Sequence, residues 1–99
     1  MKSTEKYKYQ ARILKALANE ARLLIIDNLK DREHTVGELT AIAELDQSTV
    51  SKHLSVLLTA GIVDNRKEGN SSYYSLLTPC VLDMFTCTSK VIDLNRLAR

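Results

Sequence analysis

The chain has 99 residues with 14 Lys and Arg, 12 Asp and Glu, and a formal net charge of +2. This length fits one domain (residues 1–99) with a modest core, and so mild a charge does not by itself predict a nucleic-acid partner. The apolar runs are too short to span a membrane, and the polar, basic N-terminus lacks the apolar segment of a secretory signal. Two cysteines are too few for a disulfide scaffold. We therefore expect a cytoplasmic protein with no membrane contact.

Two helices are predicted in the first third of the chain. The first covers about residues 4–18 and carries an apolar face that includes Tyr7 and Leu14. Asn19 has the side chain of an N-cap, and it precedes a second helix that is apolar nearly all round from Ala21 to Leu29. This pattern predicts that the second helix is the buried centre of the domain.

A third helix is predicted after a polar loop. Thr35 and Glu38 have the spacing of a capping box, which starts a helix over about residues 36–45. The residues expected to face the core are Leu39, Ile42 and Ala43. His34 falls in the preceding polar segment, and we expect it to be solvated.

The fourth helix, over about residues 48–60, carries the most informative pattern. Val50, Leu54 and Leu57 form one apolar stripe, and no acidic residue occurs from 47 to 63. The opposite face holds short Ser and Thr side chains, which are poorer helix formers than those of an ordinary solvated face. Such a face suits close approach to bases and phosphates, so we interpret this as a DNA recognition helix. The candidate DNA contacts are Gln47, Ser48, Thr49, Ser51, Lys52 and His53.

A strand-like pattern follows over about residues 62–77. Residues 62–67 and 72–77 favour strands, and a turn containing Gly69 separates them, which predicts a hairpin. A hairpin directly after a recognition helix is a wing. Arg66 and Lys67 would lie near its tip, where they either reach DNA phosphates or form an ordinary charged hairpin end.

A fifth helix is predicted over about residues 79–97, with Thr78 and Pro79 as its start signal. Its apolar seam, which includes Met84 and Val91, is too extensive for a terminal helix exposed to solvent. The first helix has a similar surplus, and a second copy of the chain is the expected cover. The predicted fold is mainly α with a β-hairpin, a winged helix-turn-helix that dimerises through its first and last helices.

These segments together resemble the ArsR/SmtB family of winged-helix repressors. The resemblance implies a homodimer built on the first and last helices. It also implies binding to an inverted-repeat operator in double-stranded DNA, and release by a metal, a metalloid or a thiol-reactive signal. The residues that carry the resemblance are Leu17–Leu23, Gln47–Leu54, Ala60–Val63, Arg66–Gly69 and Tyr73–Leu76.

The family's usual sensing residues are mostly missing from this sequence. The third helix has no Cys, the last helix has no His, and the second helix has no Cys. Cys80 and Cys87 remain as tentative ligands. Seven residues of helix separate their Cα atoms by about 10.5 Å, too far for a disulfide within an intact helix. They either bind As(III) or a soft metal across a dimer, respond to an oxidant, or pack as small apolar residues with no cofactor at all.

Two function classes follow from these observations. The first is a dimeric, ligand-responsive DNA-binding repressor. The alternative is a winged-helix protein-interaction module with little DNA affinity and purely structural cysteines, which the two basic and five acidic residues of segment 31–60 favour. Neither a nucleotide-binding loop nor a paired-carboxylate motif occurs, so we do not expect an enzyme.

Overall fold

The computed structural model describes residues 3–98 and contains the predicted helices and hairpin in the predicted order. This arrangement confirms the winged helix-turn-helix fold, with one short strand added before the third helix. From the N-terminus the elements are α1 (Glu5–Leu17), α2 (Glu20–Leu29), β1 (His34–Thr35), α3 (Val36–Ala43), α4 (Gln47–Thr59), β2 (Val63–Glu68), β3 (Ser71–Leu76), a 3₁₀ turn (Pro79–Leu82) and α5 (Asp83–Ala98).

The starts of α2 and α3 are fixed by the predicted caps. The Asn19 side chain accepts a hydrogen bond from the Arg22 backbone N–H at 3.2 Å. At α3, the Thr35 hydroxyl accepts from the Glu38 N–H at 3.1 Å, and the Glu38 carboxylate accepts from the Thr35 N–H at 3.0 Å. This reciprocal pair is a capping box, and it satisfies two N–H groups that have no partner within the helix.

Both ends of α4 are also defined by local chemistry. Asp46 is the N-cap, and its carboxylate accepts from the Thr49 N–H at 2.8 Å. At the other end Gly61 has φ of +80°, a conformation that side chains with a Cβ rarely adopt. The Gly61 and Ile62 N–H groups return to the carbonyls of Leu58 and Leu57, each at 3.0 Å. The helix therefore stops where the wing must begin.

The core lies where α2, α3, α4 and the base of the hairpin meet. The predicted stripe of α4 is fully buried there, together with residues from each of these elements. The largest fully buried side chains of this core are Ile25, Ile26, Leu39, Val50, Leu54, Leu57, Ile62 and Val63. This cluster holds α4 against the body of the domain and leaves its other face to solvent.

Two predictions about buried helices were wrong in part. Leu23 and Leu24 of α2 are 37% and 38% exposed, so α2 is buried on one side only. In α3 the helix ends at Ala43 rather than near Leu45, because Glu44 adopts a left-handed conformation with φ of 55°. Ile42, predicted to face the core, is therefore near a helix end and is 38% exposed.

The sheet contains a strand that the sequence did not predict. The order is β1-β3-β2, all antiparallel, and His34 of β1 pairs with Tyr74 of β3. His34 is buried, with 7% exposure, so its predicted position in a solvated loop was wrong. The partner strand lies forty positions further along the chain, and no local pattern could reveal that pairing.

The start of the last helix also differs from the prediction. Residues Pro79–Leu82 form a 3₁₀ turn, and the α-helix begins only at Asp83. The Thr78 side chain makes no capping hydrogen bond. Val81, Leu82 and Phe85 pack against the core from this turn and the first turn of α5. No helix in residues 3–98 is long and apolar enough to cross a membrane.

Candidate nucleic-acid interface

The six candidate DNA contacts lie in the N-terminal half of α4, where Ser48, Ser51 and Lys52 face away from its buried stripe and Gln47, Thr49 and His53 flank that face. Four of them are exposed, namely Gln47, Ser48, Ser51 and Lys52. Thr49 and His53 are half-buried on the same half of the helix. The N-terminal half of α4 therefore presents an amide, hydroxyls, an amine and an imidazole at one surface. These groups are the donors and acceptors that read base edges and phosphates.

One carboxylate stands at the start of this surface. Asp46 accepts from the Thr49 N–H and from the Ser48 hydroxyl, the latter at 3.2 Å. The hydrogen bonds from Thr49 lower the pKa of Asp46, and the Ser48 hydroxyl and the charge of Lys52 lower it further. Asp46 is thus an ionised cap that fixes the first turn of α4 and orients Ser48. Its negative charge also interacts favourably with the positive N-terminal end of the helix dipole.

His53 is held in place by a residue of another helix. Arg22 of α2 places Nη1 3.3 Å from His53 Nδ1. A guanidinium only donates, so Nδ1 accepts and the neutral ring carries its hydrogen on Nε2. The same guanidinium donates through Nε to the Ala16 carbonyl at the end of α1, at 2.6 Å. Arg22 therefore connects α1, α2 and α4, a role that no local sequence pattern indicated.

The cationic residues of the wing are not equivalent. Arg66 forms ion pairs with Glu33 and with Glu68, the latter at 2.7 Å, and its guanidinium lies 4.7 Å from the centre of the Tyr73 ring. Arg66 lowers the pKa of Glu33 through the hydrogen bonds that it donates. Lys67 is exposed on the same strand. Its charge is therefore better placed than that of Arg66 to meet a phosphate without breaking an ion pair.

The hairpin turn lies beside the start of α4. Gly69 has φ of +62° at the first position of the two-residue turn, where a type II′ turn requires glycine. Asn70 from this turn and Ser72 of β3 share a cleft of about 410 Å³ with Gln47 and with Gly37 of α3. Ser72 was not predicted to be a site residue, because only the folded hairpin brings it next to α4.

The two cysteines lie in different elements. Cys80 belongs to the 3₁₀ turn and Cys87 to α5, so the spacing argument that assumed one continuous α-helix does not apply. Both thiols are free and exposed in the single chain, so neither packs in its core. Within residues 3–98 no three His, Cys, Asp or Glu side chains are grouped closely enough to hold a metal ion. A site of three or more ligands built on these thiols would need ligands from a second chain.

Comparison with known proteins places this architecture in a family. Residues 19–65 match the sequence model of the bacterial regulatory protein, arsR family. The HTH-type transcriptional regulator Rv0081 of Mycobacterium tuberculosis is 37% identical over 93 residues, which is 93% of this chain and 82% of that protein. The transcriptional activator HlyU of Vibrio cholerae is 48% identical over 64 residues, which is 65% of this chain and 59% of that protein.

Solved structures agree with the sequence matches. The crystal structure of Rv0081 superimposes with a TM-score of 0.80 at 35% identity and covers 94% of each chain. The homodimeric winged helix-turn-helix DNA-binding domain of Mb0332 from Mycobacterium bovis gives a TM-score of 0.79 at 30% identity, covering 97% of this chain and 89% of that one. The sequence and fold agree, and this chain belongs to the arsR family as a winged helix-turn-helix transcriptional regulator rather than an enzyme.

Proposed function

We propose that this chain is a cytoplasmic repressor that binds an inverted-repeat DNA operator as a homodimer. The observation that carries the proposal is the exposed face of α4. Ser48, Ser51 and Lys52 lie on this face, opposite the buried stripe of the same helix, and Gln47, Thr49 and His53 lie at its edges. A recognition helix fixed in this way can enter the major groove without rearrangement.

Each part of the interface has a distinct role in this proposal. Gln47, Ser48, Thr49 and Ser51 contact base edges, because their short side chains lie at the start of the helix. Lys52 contributes charge, and His53 donates through Nε2 while Arg22 holds its other nitrogen. Lys67 binds a flanking phosphate from the wing, and Arg66 does so after exchanging an acidic partner for DNA.

The dimer is supported by apolar side chains that the single chain leaves in solvent. Ile13 and Leu14 of α1 and Met84, Val91, Ile92 and Leu94 of α5 are all more than two-fifths exposed. Monomeric proteins seldom expose so many large apolar residues on two neighbouring elements. The homodimeric domain of Mb0332 has the same fold, which supports a second copy as the cover. A two-fold dimer matches an inverted-repeat operator because the two share their symmetry.

The direction of regulation depends on where the operator lies. We propose repression, through an operator that overlaps a promoter and so excludes the polymerase. Release would follow when a thiol-reactive metalloid, a soft metal or an oxidant acts on Cys80 and Cys87. Their exposure makes both thiols accessible, and Cys87 lies on α5 between Met84 and Val91, which links it to the proposed dimer.

DNA binding is tested by fluorescence anisotropy with the DNA upstream of the coding region, over a salt series. We expect affinity to fall steeply with salt, because lysines and arginines displace counterions from phosphates. Lys52→Ala with Arg66→Ala should weaken binding by about tenfold or more. Lys90→Ala on α5 removes a charge remote from α4 and is the control. Absence of binding at low salt would instead favour a protein-interaction module, which the acidic partners of Arg66 also favour.

The sensing step is tested on the same DNA with arsenite, Cu(I), Zn(II) and an oxidant. A soft metalloid, soft metal or oxidant should release the wild-type protein and leave the Cys80→Ser/Cys87→Ser variant bound. If both proteins respond identically to every addition, the cysteines have no role in sensing.

A further inference from the structure

An open, solvent-facing cavity of about 490 Å³ lies between α1, α2 and the C-terminal half of the recognition helix α4. It adjoins the exposed face of α4, because Ser55 continues that face and Arg22 contacts His53, and neither cysteine lines it. Its size lies within the range of small-molecule sites in proteins. The residues that line it are Arg12, Lys15, Ala16, Arg22, Ser55, Val56, Thr59 and Ala60.

The charge of this cavity is entirely positive. Arg12, Lys15 and Arg22 line it, and no lining residue is acidic. Arg22 is half-buried, yet its partners in the described structure are neutral: the carbonyls of Ala16 and Lys15 and the His53 ring, at 2.6, 3.4 and 3.3 Å. Its charge is therefore met only by dipoles. A half-buried cation without a carboxylate favours an anionic ligand beside it.

The remaining lining defines the rest of the ligand. Ala16, Val56 and Ala60 provide an apolar wall, and Ser55 and Thr59 add hydroxyls along α4. An inorganic anion would leave the apolar wall exposed to water, whereas a purely apolar ligand would leave the three positive charges without an opposite charge in the cavity. A carboxylate attached to a compact apolar body satisfies both.

We propose that this cavity binds a small organic carboxylate, and that its occupation weakens DNA binding through Arg22 and His53. The regulatory half rests on the DNA-binding function proposed above. A carboxylate is a stronger acceptor for a guanidinium than a neutral imidazole is. It would draw Nη1 of Arg22 away from His53 Nδ1, and the imidazole would lose the contact that fixes its orientation on α4. The ligand's charge would also repel DNA phosphates.

Binding is tested first without DNA, with 2-naphthoate as the probe and neutral 2-naphthalenemethanol as its matched control. Calorimetry should detect the acid and not the alcohol. Methyl resonances of Ala16, Val56 and Ala60 should shift on titration. A different apolar pocket lies between α1, α2 and α5 and is lined by Leu23 and Met84. Shifts confined to those two residues, or equal binding of the alcohol, would overturn the proposed site.

The charge requirement is tested with two lysines of α1. Lys15→Glu reverses a charge in the cavity, and we expect naphthoate affinity to fall about tenfold. Lys8→Glu makes the same change on the same helix outside the cavity, and screening by salt should keep its effect below about twofold. Equal losses in the two variants would show a non-specific effect of net charge and contradict the proposal.

The coupling is tested by repeating the DNA titration with saturating naphthoate. DNA affinity should fall, and bound DNA should lower naphthoate affinity by the same factor, because linkage is reciprocal. Naphthoate binding with unchanged DNA affinity would overturn the regulatory half alone. Failure of DNA binding in every condition would refute the proposed function, while the DNA-free titration would still decide the site. If naphthoate does not bind and Lys15→Glu weakens DNA binding, the cavity contacts a DNA phosphate and the proposed ligand site is wrong.

Discussion

The recognition helix α4 and the terminal helix α5 use apolar residues in opposite ways. Leu54 of α4 is completely buried among residues of α2, α3 and the hairpin, whereas Leu94 of α5 is 65% exposed. Among residues 79–96, whose burial the structure describes, Val81, Leu82 and Phe85 of the 3₁₀ turn and the first turn of α5 pack against the core. Contacts within the single chain therefore bury the apolar face of the recognition helix, whereas the apolar residues of the last helix remain exposed.

This difference separates two properties of the regulator. The position of the recognition helix within one chain is set by intramolecular packing and by its caps. The distance between two recognition helices in a dimer would instead be set by the contacts of α1 and α5. A signal that changes those contacts could then alter DNA affinity without disturbing the folded domain.

The largest expected effect is on the stability of the core. Leu54→Ala should lower the free energy of unfolding by about 2–5 kcal/mol, because it removes buried methyl groups and leaves a cavity. Leu94→Ala removes the same atoms from an exposed position, and under monomeric conditions it should change stability by less than about 0.5 kcal/mol. Denaturant unfolding of both variants at low protein concentration measures the contrast. Equal losses would show that α5 is as firmly packed as α4.

The second prediction concerns association. Leu94→Glu places a charge in the proposed dimer contact, and the dimer dissociation constant should rise at least about tenfold because an unpaired charge resists desolvation. Asp93→Lys changes the charge at an exposed position about 100° round α5 from Leu94 and is the control. Sedimentation velocity gives both constants, and circular dichroism checks that the monomer stays folded. A Leu94→Glu protein that dimerises normally would place the interface elsewhere.

The third prediction concerns acid stability at the start of α3. Hydrogen bonds from Arg32 and from the Thr35 backbone lower the pKa of Glu38 to about 2. Because the pKa is lower in the folded state, ionised Glu38 stabilises the fold above its ordinary pKa. That contribution is lost as pH falls from about 4.5 towards 2.

This loss is measured by comparing the unfolding free energy of wild type and Glu38→Gln across the same pH range. The difference between the two proteins should shrink as the pH falls, and Glu44→Gln, at the other end of α3, is the control. The comparison is needed because the lowered pKa values of Glu33 and Asp46 act in the same acidic range. A constant difference between wild type and Glu38→Gln would contradict this account.

The smallest expected effect lies in the wing. Glu33→Gln weakens the ion pair that holds Arg66, so the guanidinium becomes more available to a phosphate. DNA affinity should rise by about two- to fivefold at low salt, and the salt dependence should steepen by up to about one phosphate contact. Asp31→Asn changes a nearby acidic residue that forms no ion pair in residues 3–98. Identical gains in both variants would reflect net charge alone.

Local chemistry made much of this structure predictable. Asn19, the Thr35–Glu38 pair and Gly61 act within a few residues of their own positions, so their caps could be identified from spacing alone. The stripe on α4 was predictable for the same reason, since helical periodicity decides which side chains share a face. The sequence pattern likewise indicated that α1 and α5 carry more apolar residues than one chain can bury.

The tertiary structure decided the features that depend on residues far apart in the chain. His34 is buried because a strand forty positions away pairs with it, and Arg66 is neutralised by Glu33 from a different element. The link from Arg22 to His53, and the cationic cavity beside it, exist only because α1, α2 and α4 pack together. Periodicity and capping act within a turn or two of helix, whereas long-range pairing and charge compensation require the whole chain to be folded.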